Sequence, residues 1–377
     1  MAINQKGLDF YARLLDALNA ASIELLVCLY HWDLPQPATA NLCKGLVCTQ
    51  ALQIKFGGWP SDEIVPVFAN YAKVVFEALG EKAVYWSTFN EPSTFCCLGY
   101  SIGIHAPFIT NLTQAWTCVY NVLRSHAAAV KEFRAAVPRV KMGMSLLCEW
   151  AQPLTNSTAD ANPSTWGNFP ESVKQRINYL PKIVPQLAAD LNNSVDFFAL
   201  NFYTSKYVTA DEGGMGQWGR CDWSESQTNM MGKPLGGQTD SGWLILTPWA
   251  FRLILNWVNN MHHPEDIVET ENGMDVKGED AMPLPLALND TVRIDNFKQY
   301  ISAASDAVII DKVPMTGYFA WSLIDNFEYG AGYTQRFGVA HVDYKMQQRT
   351  FKASAMYLAG LFNSSLANVS LTYPAVA

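Results

Sequence analysis

The sequence predicts an α/β fold built on a parallel sheet, with a barrel or a doubly wound open sheet as its two possible arrangements. Three observations lead there. Six apolar runs, 23–32, 83–92, 139–150, 195–205, 265–273 and 315–325, are continuous rather than alternating, as strands buried on both faces are. Amphipathic helical segments separate them, and this alternation is the mark of parallel strands joined by crossovers. The polar residues His31, Asn90, Glu91, Asn201, Tyr203, Glu271, Trp321 and Asp325 gather at the C-terminal ends of the runs. Both arrangements put their site on that face.

In chain order, GLDFYARLLDALNAA (7–21) reads as a helix and feeds the first run, IELLVCLYHW. EIVPVFANYAKVVFEALG (63–80) reads as a second helix before AVYWSTFNEP. Residues 113–137 and 292–309 supply two more. The helical signal is weak over 151–190, which five prolines interrupt, and 37–50 shows no period. No GxGxxG or GxxxxGK[ST] follows any run, so a nucleotide site has no phosphate cradle. A closed barrel needs two strands more than these six.

The chain has 377 residues, of which 49% are hydrophobic and 16% charged, enough apolar material for one large domain over 1–377. Its net charge of −8 argues against nucleic acid or an anionic membrane as partner. The N-terminus is an amphipathic helix with no signal-peptide pattern, which predicts a cytoplasmic protein, while six Asn-X-Ser/Thr tripeptides keep a secreted route open. The eight cysteines follow no metal or disulfide spacing and are expected as buried, reduced thiols. No metal or cofactor is called for.

Glu91 and Glu271 each close an apolar run, three strands apart. In a barrel such positions face one another across the mouth. Two carboxyls meeting there can act on a glycosidic bond, one donating a proton to the leaving oxygen and the other attacking the anomeric carbon. A lone Glu is usually a solvated surface residue. That explanation weakens for one that ends a buried strand and precedes Pro or Gly. The 12 Trp, 16 Tyr and 19 Phe would suit the apolar faces of sugar rings, although most must serve packing.

HWDLPQ (31–36), TFNEP (88–92), NFYTS (201–205), TENG (270–273), WSLIDNFEYGAGYTQRFGVAHVDY (321–344) and RTFKAS (349–354) resemble glycoside hydrolase family 1, fungal β-glucosidases above all. The stretch 236–258 looks like the same group, and the likeness runs from about residue 4 to 362. It implies a (β/α)8 TIM barrel, here incomplete, and retaining hydrolysis of β-glucosides or small oligosaccharides. By resemblance Glu91 is the acid/base, Glu271 the nucleophile, and Asn90 a ligand of the sugar 2-hydroxyl. His31, Trp321, Glu328 and Tyr329 are glycone-binding positions, with Asn201 and Tyr203 behind them and Tyr203 holding the nucleophile. Glu328 suits free sugar hydroxyls and would repel a phosphate. Ionised Glu271 is expected to raise the pKa of Glu91.

The sequence also departs from the family. It looks N-terminally truncated, without the first two strands, the Gln that binds sugar and the Arg that pairs with the nucleophile. Without that Arg, Glu271 should titrate higher. Residues 37–50 look inserted, 151–190 shortened, and Tyr329 stands where many relatives have Trp. Glu269 stands where the family has an apolar residue. By strand alternation it should lie one layer below Glu271, where two inward carboxylates without the Arg would raise at least one pKa. The alternative, that it reaches water through the gap, is favoured because a buried unpaired charge is costly. These departures support a second reading, an inactive incomplete barrel that binds sugar at most.

Overall fold

The computed structural model describes residues 3–34, 55–154, 180–215 and 221–366. Helix α1 (Gln5–Ala20) leads into β1 (Leu26–Cys28), α2 (Ile64–Leu79) into β2 (Tyr85–Asn90), and the short α3 (Pro92–Cys96) and long α4 (Leu112–Ala136) into β3 (Lys141–Pro153). After α5 (Pro185–Leu191), β4 (Phe198–Met215) turns back into β5 (Cys221–Ser226). The small pair β6 (Gly237–Gln238) and β7 (Ile245–Leu246) precedes α6 (Pro248–His262) and β8 (Ile267–Asn272). Then come α7 (Leu284–Leu288), α8 (Thr291–Ile309), β9 (Met315–Ala320), the hairpin β10 (Ala340–Asp343) and β11 (Gln348–Phe351), and α9 (Ala353–Leu366).

All six predicted strands are present, paired in parallel in the order β1-β2-β3-β4-β8-β9. The sheet curls. Leu26 of β1 and Tyr85 of β2 pack inside it against Phe197, Ala199 and Val268, contacts that a flat sheet could not make. Among the described residues β1 and β9 each have one neighbour and do not pair with each other, so the barrel is an incomplete one. The β4–β5 antiparallel extension was not foreseen in the sequence. The expectations for 37–50 and for most of 151–190 lie outside the described residues.

Local chemistry explains the helices. In α2 the buried positions Ile64, Phe68, Ala72, Val75, Phe76 and Leu79 recur at helical spacing. The Asn111 side chain caps α4 by accepting from the Gln114 N–H at 3.1 Å, and Pro248 opens α6. Two layers of core result. Trp59, Phe68, Phe76, Trp86, Phe89 and Phe133 fill the space between α2, α4 and β1–β3. Leu200, Phe202, Phe251, Ile254, Leu255 and Tyr300 fill that between β4, β8, α6 and α8. The expectation of reduced thiols fails at Cys96 and Cys118. Their Cα atoms lie 5.7 Å apart, within bridging range, and they form a disulfide between α3 and α4.

Below the mouth, Asp266 ties the floor together. It accepts from Lys141 Nζ at 2.6 Å, from the Tyr85 hydroxyl at 3.2 Å and from Thr316. These partners stand on β3, β2 and β9, with Asp266 just before β8. At the other end of β2, Phe89 is fully buried among Tyr30, Trp59, Phe68 and Phe95. Replacing Phe89 by Ala should cost about 3–5 kcal/mol of stability. Urea unfolding should show the midpoint falling with an unchanged slope. A loss below about 1 kcal/mol would mean the cluster closes over the cavity.

Candidate active site

Strands that carry site residues break their alternation at the level of the mouth. On β2, Ser87 faces the interior and bonds Ser145. Thr88 and Phe89 both turn towards the helices, Thr88 to His126 of α4 and Phe89 to Phe68 of α2. The pairing with β3 shifts between Ser87 and Asn90, so Asn90 again points inwards. Glu91 follows with φ 46° and ψ 64°, a left-handed conformation that is uncommon outside glycine, and its N–H is held by the Ser145 carbonyl at 2.8 Å. Pro92 excludes the helical region for the residue before it and itself opens α3. The chain therefore turns sharply at Glu91 and leaves its carboxyl at the strand tip.

β4 supplies the link between the two acids. The Asn201 amide donates to Glu91 Oε1 and to Asn90 Oδ1, both at 2.9 Å, and its own oxygen accepts from Thr270. The Tyr203 hydroxyl donates to Glu271 Oε2 at 2.8 Å. The Asn90 amide donates to His31 Nε2 at 3.1 Å, and the His31 ring stacks on Trp321 with centroids 5.5 Å apart. The Tyr329 hydroxyl donates to the His31 carbonyl at 2.8 Å. Glu328 accepts from Asn326 at 3.1 Å. His31, Asn90, Glu91, Tyr203, Glu271, Trp321, Glu328 and Tyr329 all line one cleft, while Asn201 stands fully buried behind it.

The electrostatics of the mouth are unusual. Burial pushes Glu91 up to about 7, against hydrogen bonds from Asn201 and Thr94. Burial also raises Glu271 well above its ordinary value, and the charge of Glu91 adds to it. Influence was expected to run from Glu271 to Glu91; here the charge of Glu91 acts on Glu271. Among the described residues no Lys or Arg forms an ion pair with Glu271, and that explains its height. Burial also lifts Glu328 to about 7. His31 Nε2 approaches Glu271 at 3.7 Å, an ion-pair distance, but burial lowers His31 to about 4, so at neutral pH the imidazole there is uncharged.

Two expectations change. Glu269 does not share a face with Glu271 and does not reach water. It is fully buried, accepts from the Phe202 N–H at 2.8 Å, and neighbours Cys148, Tyr300 and Tyr318 in the layer between sheet and helices. The reason is a register shift between Glu269 and Asn272, which breaks the alternation on β8. Asp325 is not at the mouth either. It is buried with Arg336 at 2.7 Å and Lys352 at 3.0 Å, and Lys352 also pairs with Glu279. Arg293 joins Glu279 at 2.6 Å and Asp290 at 2.5 Å. This network ties the loop after β8 and the start of α8 to the loop that carries Trp321 and Glu328.

Three further residues at the site are not singled out in the sequence. Trp32 donates from Nε1 to the Asn90 carbonyl at 3.0 Å, and His105 stacks on Tyr329 with centroids 5.8 Å apart. Glu149 acts on Glu91 from β3. His105 and Glu149 reach the mouth only through the fold, whereas Trp32 sits beside His31 in the HWD motif.

Burial raises Glu269 well above its ordinary value, so it is neutral in the folded chain while its unfolded counterpart ionises above about 4.5. The contribution of Glu269 to stability should therefore be full below that pH and fall as pH rises, by about 1.4 kcal/mol per unit until the folded carboxyl ionises. Glu269→Gln should fall less steeply, keeping only the shares of Glu91, Glu271 and Glu328, which burial also raises. Denaturation curves of both chains across pH 4–8 compare them, and parallel profiles would show Glu269 ionised in the fold. Asp325→Ala, which strands Arg336 and Lys352 without their shared partner, should cost about 3–5 kcal/mol in the same assay.

Comparison with known proteins agrees with this geometry. The family model described as Glycosyl hydrolase family 1 matches residues 1–365. The chain is 33% identical to beta-glucosidase 34 of Oryza sativa subsp. japonica, covering 96% of this chain and 76% of that one. A β-glucosidase structure from the fungus Humicola insolens in complex with glucose superposes with a TM-score of 0.86 at 33% identity, over 96% of this chain and 80% of that one. A rice β-glucosidase variant in a covalent complex with Glc gives a TM-score of 0.85 at 30% identity, over 96% and 80%. With the curled parallel sheet and carboxyls at its strand ends, these matches establish that the chain belongs to glycosyl hydrolase family 1, as a relative of its β-glucosidases.

Proposed function

We propose that the chain is a retaining β-glucosidase in which Glu271 attacks the anomeric carbon and Glu91 protonates the departing oxygen. The observation that carries this reading is the pair of bonds from one strand. Asn201 on Glu91 and Tyr203 on Glu271 hold both carboxyls at a single mouth. The rice relative caught in a covalent complex with Glc supports a glycosyl-enzyme intermediate.

Two coupled acids titrate as a pair, and the form bearing one proton is the reactive one. The Tyr203 hydroxyl favours charge on Glu271, and positive charge developing on the sugar ring favours it further as the bond breaks. Once Glu271 carries the sugar its charge is gone, and Glu91, now ionised, can take a proton from water. Asn90, His31, Trp321 and Glu328 would receive the glucose. Stacked on His31, the Trp321 ring offers an apolar face beside polar groups. Tyr329 would act through His31, whose carbonyl its hydroxyl holds.

A 2-deoxy-2-fluoro-β-glucoside with a good leaving group should label Glu271, as read by peptide mass spectrometry. A folded chain that takes no label, or takes it elsewhere, sinks the proposal. Glu91→Ala should lose about 10²–10⁴ in kcat/KM, which reports the first step, on glucosides whose leaving group needs a proton, and far less on 2,4-dinitrophenyl β-glucoside. With Glu91 at about 7, the acid form disappears as pH rises. Activity on the first kind of substrate should thus fall above about pH 7, and a pH–rate profile reads the limb.

A further inference from the structure

The mouth differs on its two sides. On one side stands Glu328, on which the charges of Asp275 and Glu91 act. On the other, three strands continue past the level of the acids. Leu147 of β3 pairs with Asn201 of β4. Glu149 lies two residues further on and Lys206 five, roughly 7 and 16 Å by ordinary strand rise. β5 folds back on β4 and sets Glu225 opposite Val208. Lys206 Nζ reaches both carboxylates, at 3.1 Å from Glu149 and 2.8 Å from Glu225. All three side chains line the cleft and remain 15–17% exposed, enough for a ligand to touch.

The charge of Glu149 reaches Glu91. If Glu91 protonates the departing oxygen, as proposed above and as this inference requires, then a group beyond Glu91 and away from Glu328 faces what departs. We propose that Glu149, Lys206 and Glu225 form the leaving-group wall of the cleft and select a hydroxyl-bearing leaving group, a second sugar or a polyol, over an apolar one. The physical reason is desolvation. An alkyl or aryl group laid on this wall strips water from charged atoms and returns no hydrogen bond. Hydroxyls replace that water, donating to the carboxylates and accepting from the ammonium.

The wall is tested by binding, without turnover, using two S-linked glucosides that resist hydrolysis. Thiocellobiose presents a second glucose to the wall, and octyl 1-thio-β-glucoside presents an alkyl chain. Calorimetric titration of the full chain should give at least about tenfold tighter binding of thiocellobiose. Lys206→Met should cut that preference by about fivefold or more, with the affinity for glucose itself unchanged. Glu149→Gln, which keeps the shape of the side chain, should move the preference the same way and serves if the lysine variant does not fold. Glucose binding with an equal preference in wild type and variants overturns the wall and leaves the glucosidase reading standing. A folded wild-type chain that binds no glucose overturns both.

Discussion

The site depends on one buried amide. Asn201 sits in the middle of the curled sheet, fully enclosed, and gives its two hydrogens to Asn90 and Glu91 while its oxygen receives Thr270. Each of those partners has a fixed place of its own. Asn90 holds His31, His31 stacks on Trp321, and Thr270 immediately precedes Glu271. An amide with every polar atom committed has a single orientation, and groups on three strands inherit it. The residue is fully enclosed, yet the relative placement of the acids passes through it.

The molecule buries charge in two contrasting ways. Around Arg293, Arg336 and Lys352, cations and carboxylates interleave at hydrogen-bonding distance, so each desolvated charge has a partner. At the mouth Glu91 and Glu271 are buried and Glu328 half-buried near one another beside an uncharged histidine, and the cost appears as raised pKa values. The balanced network fixes a loop. The unbalanced mouth keeps protons where a glycosidic bond would need one.

The sequence made the strands legible because continuous apolar runs survive any local irregularity, and the acids legible because each ends such a run. It misled wherever alternation was trusted at the level of the mouth. Glu269 illustrates the failure: a shift of one residue in pairing sends it to the helix layer, although counting by twos puts it beneath Glu271. In the sequence Asp325 groups with the polar residues at the strand ends, and only the approach of Arg336 and Lys352 from later in the chain shows its role. The Cys96–Cys118 bridge joins two helices whose contact no spacing rule announces. The wall around Lys206 needs the β4–β5 hairpin, which the apolar pattern does not mark.

Asp266 gives the sheet a mechanical character that closed barrels do not share. In a ring of strands curvature is topological, and flattening it requires a whole ladder to part. In the six strands described here curvature rests on packing and on a rivet, one carboxylate gripped from β2, β3 and β9 at the floor. Glu91 and Glu271 stand at the opposite end of the same curved surface, three strands apart. Any slackening at the rivet lets the sheet uncurl and opens the distance between them like the jaws of calipers. The gap between the two carboxyls at the rim is therefore gauged from the far side of the sheet.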